Sequence, residues 1–91
     1  RPDRISNELS PTSERRLHDA IHRILHEAID AGGSTLGDAQ YVDLFGAGGS
    51  YQDAHQVYGR AGERCRTCGV GWIRSTVSAQ RSTHFCPRCQ R

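Results

Sequence analysis

Four cysteines constrain this chain more than any other feature. They stand as Cys65-x2-Cys68 and Cys86-x2-Cys89, with seventeen residues between the pairs. A Cys-x-x-Cys turn aims two sulfurs at one point, and Zn²⁺ takes four thiolates tetrahedrally. Seventeen residues are enough for two short strands and a turn that returns the second knuckle to the first. Gly69 follows Cys68, where such a knuckle favours a positive φ. With four sulfur ligands the coordination shell is closed, so one structural zinc on Cys65, Cys68, Cys86 and Cys89 is the expectation. The competing reading is disulfide pairing, for which four cysteines allow three connectivities. No signal-peptide pattern opens the chain, and the two pairs are tight, so zinc is preferred. No βαβ pattern surrounds either pair, which argues against a thioredoxin-like redox role.

A chain of 91 residues with 35% apolar residues builds only a small core, and a domain of that kind needs a staple such as a metal. Charge is unevenly spread. Residues 1–45 carry five arginines against eight acids, and residues 46–91 carry seven against two. Counting four thiolates and one Zn²⁺, the back half stays near +3. A basic half suits a polyanionic partner. All twelve basic residues are arginine, which removes lysine Schiff-base chemistry. No apolar run is long enough to span a membrane. Arg1 and the absence of Met suggest a piece of a longer product, or a processed one.

Three segments are expected: a helical segment at 1–45, a glycine-rich connector with a short strand at 46–64, and a four-cysteine finger hairpin at 65–91. Ser10 is a good N-cap, Pro11 suits the first helical position, and Gly32-Gly33 ends the helix. Between them Leu17, Ile21, Ile24, Leu25, Ala28 and Ile29 keep helical spacing over an arc of roughly 140°, enough for a core-facing helix. A short second helix is expected within 34–45, and a short strand at Val57-Tyr58. Tyr41, Phe45, Tyr51 and Tyr58 read as packing residues. His18, His22 and His26 recur every fourth residue at the edge of the apolar arc. They could hold a metal, but a solvated or packing role is the more natural reading. His84 could replace a thiolate, although four cysteines already complete the site. The fold class is therefore small α plus zinc β-hairpin: a long amphipathic helix with a four-cysteine, zinc-ribbon-like finger.

Ser78-Ala79-Gln80 reads as the hairpin tip, with Arg81 just beyond. A guanidinium there can hold a phosphate through two hydrogen bonds. From charge alone a phosphate contact and a merely solvated basic surface stand level. A protein-interaction zinc ribbon is the alternative use of such a finger, and salt dependence separates it from DNA binding.

Gly32-Gly33-Ser34-Thr35-Leu36, then Val57-Tyr58-Gly59-Arg60-Ala61-Gly62-Glu63-Arg64-Cys65, then Arg81-Ser82-Thr83-His84-Phe85-Cys86-Pro87-Arg88-Cys89-Gln90 form an ordered set. Together they resemble the C-terminal region of the formamidopyrimidine-DNA glycosylase family, whose endonuclease VIII branch shares the layout. Pro2-Asp3-Arg4 and Leu9-Ser10 extend the resemblance over essentially the whole chain. It implies base-excision repair in the bacterial cytoplasm and nucleoid. The enzymes of the family flip a damaged purine out of the duplex, remove the base and cut the abasic strand. It also implies that the tip arginine, Arg81 here, grips phosphates of double-stranded, damaged or abasic DNA, with Gln80 and Arg74 as further contacts. Gln80 departs from the family, which often has glycine before that arginine. The family's nucleophile is an N-terminal proline followed by glutamate. Pro2 is acylated by Arg1 and does not correspond to it, and Asp3 takes no catalytic role. The resemblance thus implies a DNA-binding module with no catalytic residue of its own, and a catalytic domain preceding Arg1 if the chain is a fragment.

Overall fold

The structure, a computed structural model, describes residues 1–35, 42 and 44–91. The chain divides into two compact units. Ile5–Ala54 forms one, and Arg1–Arg4 with His55–Arg91 forms the other. Among the described residues there is one α-helix, α1 (Pro11–Asp30), and one antiparallel hairpin, β1 (Arg74–Ser78) with β2 (Arg81–Phe85). No helix among the described residues is long and apolar enough to cross a membrane.

Both ends of α1 follow from local chemistry. The Ser10 hydroxyl accepts from the Ser13 backbone N–H at 3.1 Å, with Pro11 in the first turn. At the other end the Gly32 N–H donates to the Ile29 carbonyl at 2.9 Å and the Gly33 N–H to the Ala28 carbonyl at 2.7 Å. This is a Schellman closure, and it needs the left-handed φ of +75° that Gly32 adopts. The chain then folds back on itself. The Ser50 N–H donates to the Ala31 carbonyl and the Tyr51 N–H to the Gly33 carbonyl. Thr35 Oγ1 accepts from the Gly49 N–H at 2.8 Å, and Gln52 Oε1 accepts from the Thr35 N–H at 3.1 Å.

The apolar arc of α1 is not buried: Leu17, Ile21, Ile24, Leu25 and Ile29 are 43–72% exposed. Of the helix expected within 34–45, residues 36–41 and 43 lie outside the described residues, and Tyr41 is among them. Ser34 pairs with Ser50 and Val42 with Gly48 as isolated bridges. Phe45, expected to pack, is 93% exposed.

In the other unit the expected strand at Val57-Tyr58 is instead a bend and turn. The Arg60 N–H donates to the Val57 carbonyl, while the Arg60 guanidinium spans the loop to the carbonyls of Gln56 at 2.6 Å and Arg64 at 2.8 Å. Val57 packs against the core instead of joining a sheet. That core is small: Cys65, Ile73, Phe85 and Cys86 are its buried members, with Ile73 and Cys86 almost fully enclosed. Every residue of β1 is exposed, so the hairpin projects from its base as a ribbon.

The register opposes Ser78 to Arg81, leaving Ala79 and Gln80 as a two-residue turn with φ of +49° and +64°. Two positive φ values are what a type I′ hairpin turn requires, and asparagine-glycine is the pair that adopts them readily. Each L-residue with a side chain held there costs roughly 1–2 kcal/mol. Replacing the turn with Ala79→Asn and Gln80→Gly should therefore stabilise the zinc-loaded chain by about 1 kcal/mol. Thermal unfolding checks this, and an unchanged or lower midpoint would count against the turn geometry.

Candidate metal centre and nucleic-acid interface

Each knuckle is shaped by its own backbone. In the first, the Gly69 N–H donates to the Cys65 carbonyl at 2.9 Å, with Gly69 at φ +67° as the spacing required. The Gly71 N–H then donates to Cys68 Sγ at 3.3 Å. In the second, the Cys89 N–H reaches Cys86 Sγ at 3.5 Å, and the Gln90 side chain closes the turn by accepting from the Cys86 N–H at 2.9 Å. The Cys65 N–H closes the first knuckle on the Gly71 carbonyl at 2.7 Å, and the hairpin, whose base pairs Arg74 with Phe85, returns the second knuckle to it.

All four sulfurs lie within 4.8 Å of one another. Cys65 Sγ and Cys89 Sγ are 3.7 Å apart, and Cys68 Sγ and Cys86 Sγ 4.0 Å. Four metal–sulfur bonds of about 2.3 Å in a tetrahedron give sulfur–sulfur edges of about 3.8 Å. A disulfide needs about 2.05 Å, and all four cysteines are free. The donor set and its spacing therefore fit one zinc ion, and the disulfide alternative fails on distance.

The sulfurs are also electrostatically prepared. The backbone N–H groups of Gly71 and Val70 hold the Cys68 thiol down to about 6, so it is largely thiolate at neutral pH. The Cys65 thiol is lowered too, chiefly by the Cys68 backbone N–H. Cys89 is pushed up to about 12, first because its thiol proton is hydrogen-bonded to Cys68 and then by burial. Without a cation Cys89 keeps its proton at neutral pH. A cation takes that proton's place.

Gly71 escaped the sequence reading. A Cβ there would sit 2.7 Å from Cys86 Sγ and 3.0 Å from the Arg88 Cβ. The constraint comes from a sulfur fifteen residues away, and the only local hint is the short Gly69-Val70-Gly71 run. Gln90 stands in the last motif of the ordered set, but its hydrogen bond to the Cys86 N–H was not foreseen. His84 stays outside the sulfur cluster. It lies in β2 with its ring 5.1 Å from Tyr58, which in turn stands edge-on to His55.

Arg60, Arg64 and Arg66 are held within the finger unit. Arg60 ties its loop as described. Arg64 lies over the Trp72 ring at 4.9 Å and donates to the Gly69 carbonyl, and Arg66 donates to the His55 carbonyl. Arg74 and Arg81, by contrast, have no ion pair or side-chain hydrogen bond among the described residues. The pairings Arg74–Phe85, Thr76–Thr83 and Ser78–Arg81 put both arginines on one face of the ribbon, Arg81 at the tip and Arg74 at the base. Arg1 to Asp3 lie against that same face near its base, where Arg1, Pro2, Asp3, Thr76 and Phe85 line a shallow cleft. Gln80 is exposed in the turn beside Arg81.

Zinc affinity should rise with pH, because binding displaces thiol protons, and acid should expel the metal. Gly71→Ala should weaken zinc retention by about tenfold or more, since overpacking against a ligand costs about 1–3 kcal/mol. Competition with a chromophoric chelator measures both. Unchanged retention in the variant would show that the sulfur can move aside.

Residues 62–91 match the family model described as "Zinc finger found in FPG and IleRS". The formamidopyrimidine-DNA glycosylase of Heliobacterium modesticaldum is 49% identical over 90 residues, covering 99% of this chain and 31% of that protein. That of Thermus thermophilus is 44% identical over 89 residues, covering 98% and 33%. A crystal structure of Lactococcus lactis Fpg in complex with abasic-site-containing DNA matches with a TM-score of 0.85 and 41% identity, covering 100% of this chain and 31% of that one. The chain thus spans about a third of the length of the relatives it matches. Sequence, hairpin and sulfur cluster agree, and the chain belongs to the formamidopyrimidine-DNA glycosylase family as its C-terminal, zinc-finger-bearing region.

Proposed function

We propose that this chain is the DNA-gripping region of a bacterial base-excision repair glycosylase and abasic-site lyase. In this reading Cys65, Cys68, Cys86 and Cys89 hold one structural zinc. A zinc with four thiolates supplies folding energy and a fixed shape. Arg81 contacts phosphates of double-stranded, damaged or abasic DNA, with Gln80 and Arg74 beside it. The observation that carries the reading is the unengaged Arg81 guanidinium at the tip of an exposed ribbon whose base is a sulfur cluster. Arg60, Arg64 and Arg66 are occupied within the protein, whereas Arg81, like Arg74, is left for an external anion. The Lactococcus lactis relative, solved with abasic-site DNA, supports the choice of anion.

Helix α1 is, in this reading, a long amphipathic element, and its apolar arc is the side that the remaining two thirds of a relative's chain would cover. The same remainder would bring the catalytic nucleophile. This chain has no lysine, and the Pro2 nitrogen is in an amide with Arg1. The place of action is the bacterial cytoplasm, at the nucleoid.

Arg81→Ala should weaken binding to an abasic duplex by about 1–3 kcal/mol, as expected for a charge-assisted hydrogen bond, and should leave the fold intact. The parent's affinity should fall steeply with salt through counterion release. A mobility-shift titration reads both. Equal binding by variant and parent, or salt-insensitive binding, would favour a protein-interaction finger instead.

A second expectation concerns chemistry. Strand cleavage through a Schiff base requires an amine placed against the abasic sugar. Incubated with a labelled abasic duplex and borohydride, the chain alone should give at most a trace of trapped adduct. A strong adduct that survives acetylation of the N-terminus would reveal an unrecognised nucleophile.

A further inference from the structure

The histidine stripe on α1 takes no part in the function proposed above. His18 and His22 stand one turn apart, with ring centroids 4.5 Å from each other and planes inclined by 50°. Both are exposed. Side chains four apart on a helix share a face. Two imidazoles on adjacent turns can offer one nitrogen each to a single ion, and metal–nitrogen bonds of about 2.0–2.1 Å place cis nitrogens about 3 Å apart. The rings stand 4.5 Å apart at their centroids, so a chelate calls for side-chain rotation and no movement of the helix backbone.

A second contact favours the same use. His18 Nδ1 lies 3.4 Å from the Asp19 carboxylate. A proton held on Nδ1 by a carboxylate leaves Nε2 with its lone pair outward and makes it the better ligand. Asp19 is also three residues before His22, and Glu14 four residues before His18, so two acids border the pair. His26 continues the stripe one turn further on.

We propose that His18 and His22 form a surface chelate for a divalent transition-metal ion that prefers nitrogen ligands, the class of Ni²⁺ and Cu²⁺, with water in the remaining positions. Imidazole donors suit these ions, and both stand near the top of the Irving–Williams order. The pair lies in the unit formed by Ile5–Ala54, whereas the four cysteines lie in the other, so the two sites have separate ligands.

The probe is Ni²⁺, because Cu²⁺ oxidises thiols. The full chain, loaded with zinc, is titrated with NiCl₂ by calorimetry while zinc release is followed with a chromophoric chelator. One Ni²⁺ should bind per chain without zinc release, and paramagnetic broadening should centre on the His18 and His22 ring protons. Losing a ligand should cost more than losing an outer partner, so His18→Asn and His22→Asn should each lower affinity by at least about tenfold. Asp19→Asn should lower it less, and His26→Asn should leave it unchanged. All these residues are exposed, and helical circular dichroism checks that the variants fold. Binding that survives the double variant, binding that expels zinc, an equal loss in His26→Asn, or no binding at millimolar Ni²⁺ would each overturn the assignment.

Discussion

Four sulfurs held around one point decide how the finger unit can exist. Its buried apolar members are Cys65, Ile73, Phe85 and Cys86, so two of the four are themselves ligands. So little apolar burial cannot offset the conformational entropy of ordering its chain. The cation does what a larger core would do. The backbone amides of Gly71 and Val70 already hold Cys68 toward its charged form, so the protein meets part of the requirement for thiolates before the metal arrives. Cys89, by contrast, is held protonated, chiefly by its hydrogen bond to Cys68 and then by burial, so its proton must leave when the ion binds.

With the base of the hairpin tied in this way, the ribbon can stay exposed. A two-stranded hairpin alone is marginal in water, and here every residue of β1 faces solvent. Stability comes from the knuckle end, which frees the far end from packing duties. The arginines follow the same division of labour. Arg60, Arg64 and Arg66 cap carbonyls in the loops near the cysteines, a task for which a planar fork of five donors is better suited than an ammonium. Arg74 and Arg81 stand on the ribbon, where no carbonyl needs them.

What could be read from sequence was what neighbouring residues decide. Ser10, Pro11 and Gly32 set the ends of α1 through contacts within five residues, and the periodic Leu17-to-Ile29 pattern marks its apolar side. The cysteine spacing announces the metal because two of its four ligands are fixed within each short turn. Val57-Tyr58 misled because β-prone residues were outweighed by the Arg60 guanidinium, which bends the loop around itself. Gly71 was invisible because its constraint is imposed by the Cys86 sulfur across the hairpin. The apolar arc of α1 was legible, but what covers it was not, since periodicity reports a face and never its partner.

The turn at Ala79 and Gln80 shows how a local irregularity serves a distant purpose. Neither residue favours a positive φ, yet the two-residue length opposes Ser78 to Arg81. Side chains alternate across a strand, so one residue more or less in the turn would move Arg81 to the other face. There it would lie with Ser75 and Val77, away from Arg74. The turn length thus sets the side on which Arg81 emerges, the side that the proposed phosphate contact uses, and the sulfur cluster closes the opposite end of the same hairpin. Strain at the tip and closure at the base are two ends of one constraint on where a single guanidinium points.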